Sequence, residues 1–149
     1  MQVGEICNRE VIVVERDVSV REAAALMRQY HVGDLVVAEE LAGKRAPVGI
    51  VTDRDIAIEV VAMGVDPEAL TVGEVMGPEL ITVGEKETVY DTLHRMRQHG
   101  VRRIPVVDAQ GGLAGIVSLA DLLEFLAEEI SYLSKVELRE QAREARVRK

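Results

Sequence analysis

The sequence predicts an α+β fold made of two copies of a strand–helix–strand–strand–helix unit, followed by a long C-terminal helix. Three observations predict it. Gly49-Ile50-Val51-Thr52-Asp53-Arg54-Asp55 returns as Gly115-Ile116-Val117-Ser118-Leu119-Ala120-Asp121: a glycine, two apolar residues, a hydroxyl residue, two variable positions and an aspartate. At one constant offset, Val3-Gly4-Glu5-Ile6-Cys7 lies over Val72-Gly73-Glu74-Val75-Met76, Val11 and Ile12 over Leu80 and Ile81, and Met27 over Met96. A repeat at such a period defines the architecture before any single element is read. Third, short β-branched runs alternate with stretches of helical periodicity in both copies.

The chain has 149 residues, which suits one compact unit. The repeats fall at 1–66 and 67–131, with a helical extension over 132–149. A unit of about sixty residues is only marginally stable alone, so each copy is expected to need the other. Apolar residues make up 48% and aromatics 3%, so the core must be Val, Leu, Ile, Ala and Met.

In chain order, Val11 to Val14 reads as a strand. Ser19 to Glu22 has the form of a helix-starting capping box, with Val20, Ala24 and Met27 on one face. That helix ends near His31-Val32-Gly33. Leu35 to Ala38 and Pro47 to Val51 are strands around a Gly43-Lys44 turn. Asp53 to Met63 reads as a helix with Ile56, Val60 and Met63 inward and Gly64 as its stop. In the second copy Ile81 to Val83 is a strand, and Thr88 to His99 a helix capped by Thr88 and Asp91. Ile104 to Val107 and Leu113 to Val117 form a hairpin around Gln110-Gly111-Gly112. Pro105 cannot donate to a ladder, which suggests an edge strand or a position facing away from a partner. The last helix starts at Leu119 and is not interrupted by Gly or Pro. Leu123, Leu126, Ile130 and Leu133 give it an apolar stripe that needs a partner.

Several functions are disfavoured. A formal net charge of −8 argues against nucleic acid, whose phosphates demand a basic footprint. The single cysteine, Cys7, allows no internal disulfide, and with no histidine beside it suggests neither zinc nor a nucleophile. His31, His94 and His99 lack metal-ligand spacing. No secretory signal and no apolar run of membrane-spanning length is evident, so a cytoplasmic location is expected. No catalytic acid–base pair, Walker loop or nucleophile elbow is present, and no enzyme is read here.

With the repeat, the element order and both Gly-to-Asp motifs assembled, the chain resembles the cystathionine β-synthase (CBS) domain family. It looks like a stand-alone tandem pair, or Bateman module, with the resemblance covering residues 3 to 131. The VRRIPVVD stretch at Val101 to Asp108 fits it as well. The resemblance implies two βαββα units packed through their sheets about a pseudo-twofold axis. It also implies two clefts for adenosine-containing ligands, and a regulatory rather than catalytic role.

Thr52 with Asp55, and Ser118 with Asp121, sit where a strand ends and a helix begins. Their spacing is explained by capping boxes alone. The same geometry offers free N–H groups and a hydroxyl to a phosphate, and the two readings are compatible. The resemblance gives each aspartate the hydroxyls of a ribose. It places Arg102 and Arg103 against ligand phosphates, a task to which guanidinium is well shaped. It pairs Leu80 and Ile81 with the Thr52–Asp55 cleft, and Val11 and Ile12 with the Ser118–Asp121 cleft; core packing accounts equally well for those four. The positions matching Arg102 and Arg103 in the first copy are Gly33 and Asp34, so the two clefts are expected to be unequal. The reading is a non-catalytic module that binds AMP, ADP or ATP as a regulatory ligand, requires no cofactor or metal, forms a homodimer and signals to a separate partner protein. The alternatives are a ligand-free dimerisation protein and a binder of S-adenosylmethionine or NAD(H).

Overall fold

The computed structural model describes residues 1–148. Each half holds a three-stranded sheet in which a short parallel strand and a long antiparallel one flank the central strand. The first sheet is β1 (Val13–Val14), β2 (Asp34–Leu41) and β3 (Lys44–Thr52); helix α1 (Val20–Tyr30) connects β1 to β2. The chain continues through α2 (Asp53–Ile56) and a one-turn α3 (Val72–Val75). The second sheet is β4 (Val83–Gly84), β5 (Arg103–Val107) and β6 (Leu113–Ser118), with α4 (Val89–His99) and the terminal α5 (Leu119–Val147). Strands β3 and β6 approach one another between the halves.

The helices start where the sequence chemistry says they should. Ser19 Oγ accepts from the Glu22 N–H at 3.1 Å, and Thr88 Oγ1 from the Asp91 N–H at 3.1 Å, each satisfying a donor the helix cannot. Helix α1 ends at His31, a left-handed residue with φ 53°, and α4 at Gly100 with φ 65°.

The two cores exchange segments. Val14, Val20, Met27, Leu35, Val37, Val51 and Val60 pack together, but Val72 and Val75 of the second repeat complete the cluster. Val83, Val89, Met96, Ile104, Val106, Val117 and Leu122 form the other, completed by Val3 of the first repeat. The exchange is hydrogen-bonded: Val3 and Gly4 donate to Glu87 and Glu85 carbonyls, while Val72 and Gly73 donate to those of Val18 and Arg16. Each repeat therefore finishes its neighbour's core and leaves its own incomplete.

Several element boundaries depart from the sequence reading. The β2–β3 hairpin extends through the whole insertion, and its turn is Ala42-Gly43, both with positive φ, the backbone twist that two-residue hairpins favour. Strands β1 and β4 are only two residues long, so Val11, Ile12 and Ile81 precede the ladders. Ala23 rather than Ala24 is buried in α1. Beyond Ile56 the helix widens, the Ala62 N–H bonding the Ala57 carbonyl five residues back. The wider turn breaks the 3.6-residue register, and Met63 emerges exposed while Val60 stays buried. Pro105 lies in a central strand rather than at an edge, and avoids breaking the ladder because β4 pairs only with Val106 and Val107. In α5 the buried contacts come from Leu122 and Phe125, and Leu123 faces outward.

Candidate functional site

Two clefts lie between the repeats, and each is lined by residues of both. The larger, of 540 Å³, gathers Thr52, Asp55, Leu80, Ile81, Arg102 and Arg103. The smaller, of 200 Å³, gathers Val11, Ile12, Ser118, Asp121 and again Arg103. Leu80 and Ile81 thus lie with Thr52 and Asp55, and Val11 and Ile12 with Ser118 and Asp121, as the resemblance pairs them; Arg102, for which no cleft was specified, lines the larger, and Arg103 lines both.

At the mouth of each cleft stands a capping box. The Thr52 N–H donates to Asp55 Oδ2 at 2.8 Å, and the Asp55 N–H to Thr52 Oγ1 at 3.1 Å. The Ser118 N–H and Oγ–H both donate to Asp121 Oδ2 at 2.7 Å, and the Asp121 N–H returns to Ser118 Oγ at 3.2 Å. These bonds hold each carboxylate in place through one oxygen. Oδ1 of Asp55 and of Asp121 accepts no hydrogen bond among the described residues, so each aspartate keeps an acceptor for a hydroxyl-bearing ligand. Capping and binding are compatible roles here.

The glycine that opens each motif serves close approach. A Cβ on Gly115 would stand 2.7 Å from Cys7 Sγ and 2.8 Å from the Asn8 carbonyl oxygen. A Cβ on Gly49 would collide with the sulfur of Met76, the counterpart of Cys7. Each crossing segment lies directly against the motif strand of the other repeat. Burial pushes the Cys7 thiol pKa up despite Arg9 nearby, which suits a packing residue and not a reactive one.

From there the clefts differ. In the smaller one Asn8 and Ile116 exchange two backbone hydrogen bonds of 2.9 Å, and the Val36 N–H donates to the Ile12 carbonyl at 3.1 Å. In the larger one neither closure exists. Gly77 replaces Asn8, and no bridge to Ile50 forms among the described residues. The register that pairs Val36 with Ile50 turns the Ile50 N–H and C=O away from β2, towards the cleft they line. Pro105 stands where Val36 would, so among the described residues the Ile81 carbonyl also has no hydrogen-bond donor. Three backbone polar groups of the larger cleft are therefore left for water or a ligand, since buried backbone groups are otherwise almost always paired.

The charges differ as well. Arg54 and Arg102 line the larger cleft and make no ion pair among the described residues. Arg54 was missed by the sequence reading, although it fills a variable position of the motif where the second copy has Ala120. Arg103 is engaged: its Nε lies 2.7 Å from Asp34 Oδ1. Burial raises the Asp34 pKa, Arg103 opposing this and Asp53 adding to it. Of these opposing effects, burial is the largest. Among the described residues no three His, Cys, Asp or Glu side chains are grouped to hold a metal ion, and no helix is long and apolar enough to cross a membrane.

Two repeats with exchanged core segments, a capped Gly-to-Asp motif at each cleft and one cleft on either side of a pseudo-twofold axis define a class of protein. The CBS domain profile matches residues 3–62 and 72–128, and the chain belongs to the CBS domain family as a tandem pair. It is 39% identical over 120 residues to the CBS domain-containing protein YhcV of Bacillus subtilis, covering 80% of this chain and 81% of that one. It is 36% identical over 124 residues to an uncharacterised protein of Methanopyrus kandleri, covering 83% of this chain but only 62% of the relative's length. Among solved structures, the CBS domain pair of protein MJ0100, in complex with 5′-methylthioadenosine and S-adenosyl-L-methionine, superposes with a TM-score of 0.74. That match has 28% identity and covers 87% of this chain and 98% of the other.

Proposed function

We propose that the protein is a non-catalytic regulatory module that binds an adenosine nucleotide of the AMP, ADP or ATP type in its larger cleft and signals occupancy to a separate partner. The observation that carries this reading is the set of unsatisfied groups converging there. The Ile50 N–H and C=O and the Ile81 C=O suit the donor–acceptor edge of a purine. Leu80 and Ile81 offer its faces an apolar slot, Asp55 Oδ1 suits a ribose hydroxyl, and Arg54 and Arg102 suit phosphates. The volume falls in the range of small-molecule pockets, roughly 300–1,000 Å³. The MJ0100 complex, whose ligands are both adenosine derivatives, supports the nucleoside part of the reading.

A thermal-shift panel of AMP, ADP, ATP, S-adenosylmethionine and NADH tests it. A one-site ligand at a hundred times its dissociation constant adds about 2.7 kcal/mol, which is roughly 5–10 °C in a chain of this size. Arg102→Ala should weaken AMP and ATP, flatten the salt dependence of their binding and leave adenosine nearly unchanged. A flat panel at millimolar concentration would favour a second reading, a ligand-free interaction protein. That reading rests on α5, where Ile130, Leu133 and Val136 are all more than 60% exposed. Under either reading the homodimer stands as a proposal: light scattering should give a dimer mass at tens of micromolar, and truncation after residue 131 should reduce it.

A further inference from the structure

Helix α5 runs well past the body formed by the two repeats, and its two long sides differ. Leu122 and Phe125 are buried in the second core, and Leu119 and Leu126 pack against it, so one side of the first half is already covered. Ile130, Leu133, Glu137, Glu140 and Glu144 continue that side beyond the body at steps of three and four residues. The other side carries Glu124, Glu128, Tyr132, Lys135, Arg139 and Arg143, all exposed. Asp121, already held by Ser118, and Arg146 prolong it at either end. From Glu124 to Arg148 the only ion pair among the described residues joins Glu144 to Arg148, while Lys135 Nζ rests 5.3 Å from the centre of the Tyr132 ring. Along the exposed stripe the steps are four, four, three, four and four residues, the spacing of a single helix face. That series reads the same from either end, with two glutamates at its start and two arginines at its finish.

Taking the homodimer reading as its basis, we propose that α5 pairs antiparallel with the α5 of a second copy through this charged stripe. Turned end for end, the palindromic spacing sets Glu124 beside Arg143 of the second copy, Glu128 beside Arg139, and Tyr132 beside Lys135. Twofold symmetry repeats each pair. A parallel arrangement would set glutamate on glutamate and arginine on arginine. A second helix lying along the whole of α5 fits only on this side, because the first half of the other side is covered by its own body. The two bodies then stand on opposite flanks of the helix pair. Exposed ion pairs add little affinity singly. Like the flanking charges of a coiled coil, they select the partner, its direction and its register. The side of Ile130 and Leu133 has no such complementarity, since its charges within the helix, Glu129, Glu137, Glu140 and Glu144, are all of one sign.

Two double variants of the full chain, identical in composition and net charge, test the register. Glu128→Arg with Arg139→Glu exchanges the members of one pair and keeps every contact attractive. Glu124→Arg with Arg139→Glu spoils both kinds of pair, setting arginine against Arg143 and glutamate against Glu128. In sedimentation equilibrium at low salt the first variant should dimerise like the wild type. The second should dimerise at least about tenfold more weakly, because juxtaposed like charges are costly. High salt should narrow that gap by screening the exposed charges. Circular dichroism should show both variants as helical as the wild type, since every substituted residue is exposed. Two variants that behave alike, whether both as dimers or both as monomers, would overturn the proposal. A dimeric wild type would in that case leave the homodimer reading standing on the side of Ile130 and Leu133. A wild type that stays monomeric at tens of micromolar would remove the homodimer reading, and this one with it.

Discussion

The two clefts are built from the same plan, and the smaller is closed by a few hydrogen bonds that the larger lacks. Asn8 bridges Ile116, and the Val36 N–H occupies the Ile12 carbonyl. Their counterparts, Gly77 and Pro105, leave Ile50 and Ile81 open. Alongside this, Arg54 and Arg102 of the larger cleft have Ala120 and Gly33 as their counterparts in the other repeat. The comparison teaches that duplication preserves the scaffold, namely the capping boxes, the exchanged segments and the close-approach glycines. The chemistry of the cleft lining then differs at single positions that the scaffold does not need. Pro105 acts by the backbone donor it lacks, whereas at Gly77 the backbone bridge that Asn8 makes is absent among the described residues.

The strongest way to break the comparison is to remove the aspartate from each cleft in turn. Asp55→Ala should cost about 1.5–3 kcal/mol of affinity for an adenosine ligand in the larger cleft, the scale of hydrogen bonds to a charged group. That is roughly a ten- to hundredfold loss by calorimetry, whatever the phosphate count. Asp121→Ala should leave the same titration almost unaltered. Both variants also lose the reciprocal N3 half of a capping box while keeping the N-cap hydroxyl, so their unfolding midpoints should fall alike. Equal losses of AMP affinity in the two variants would show that the clefts are not functionally distinct.

Where the repeats remain alike, equivalent substitutions should have equivalent costs. Val3 and Val72 are both fully buried, each in the core of the other repeat. Val3→Ala and Val72→Ala should each cost about 1–3 kcal/mol, the scale of deleting buried methyl groups, as measured by denaturant unfolding. A near-neutral Val3→Ala would mean that the N-terminal segment is dispensable and that the second repeat completes its core without help.

How much of this was legible in the sequence follows from the kind of interaction involved. The repeat, the element types, both motifs and the assignment of Leu80 and Ile81 to the Thr52–Asp55 cleft were legible, because they rest on periodicity or on family resemblance. The exchange of Val3 and Val72 between cores was not, since alignment of two segments does not reveal which core each enters. Nor was the Asp34–Arg103 pair. The two were recognised as equivalent positions, but only the closeness of both to the axis turns equivalence into contact. The opening of the larger cleft depends on backbone hydrogen bonds that Asn8 makes and Gly77 does not, a difference invisible to side-chain chemistry. Of the two readings of Pro105, the edge strand fails and the position that faces no partner holds. A proline in a central strand is tolerated because the neighbouring strand begins one residue later.

The smallest expected effect concerns pH, and it contrasts Asp34 with Asp108. Asp108 Oδ1 accepts from the Gln110 and Gly112 N–H groups at 2.8 and 2.9 Å in the β5–β6 turn, and these bonds lower its pKa below the ordinary value of 3.8. A carboxyl with a lowered folded pKa stabilises the fold above the unfolded pKa, and that contribution fades as pH falls through the folded one. Asp34 is shifted the other way, by burial. Its ionisation therefore opposes folding: the penalty is absent below 3.8 and grows as pH rises through the window between that value and the raised one. In Asp108→Asn the loss of stability on acidification below 3.8 should be shallower than in the wild type. In Asp34→Asn the wild-type decline on leaving that acid range upwards should disappear. Unfolding free energies measured from pH 3 to pH 7 would separate the two slopes. Because Asp108 is only partly buried, with a third of its side chain open to water, its slope should be the slighter, and an Asp34→Asn curve parallel to the wild type across the whole range would mean that Arg103 neutralises the burial penalty completely.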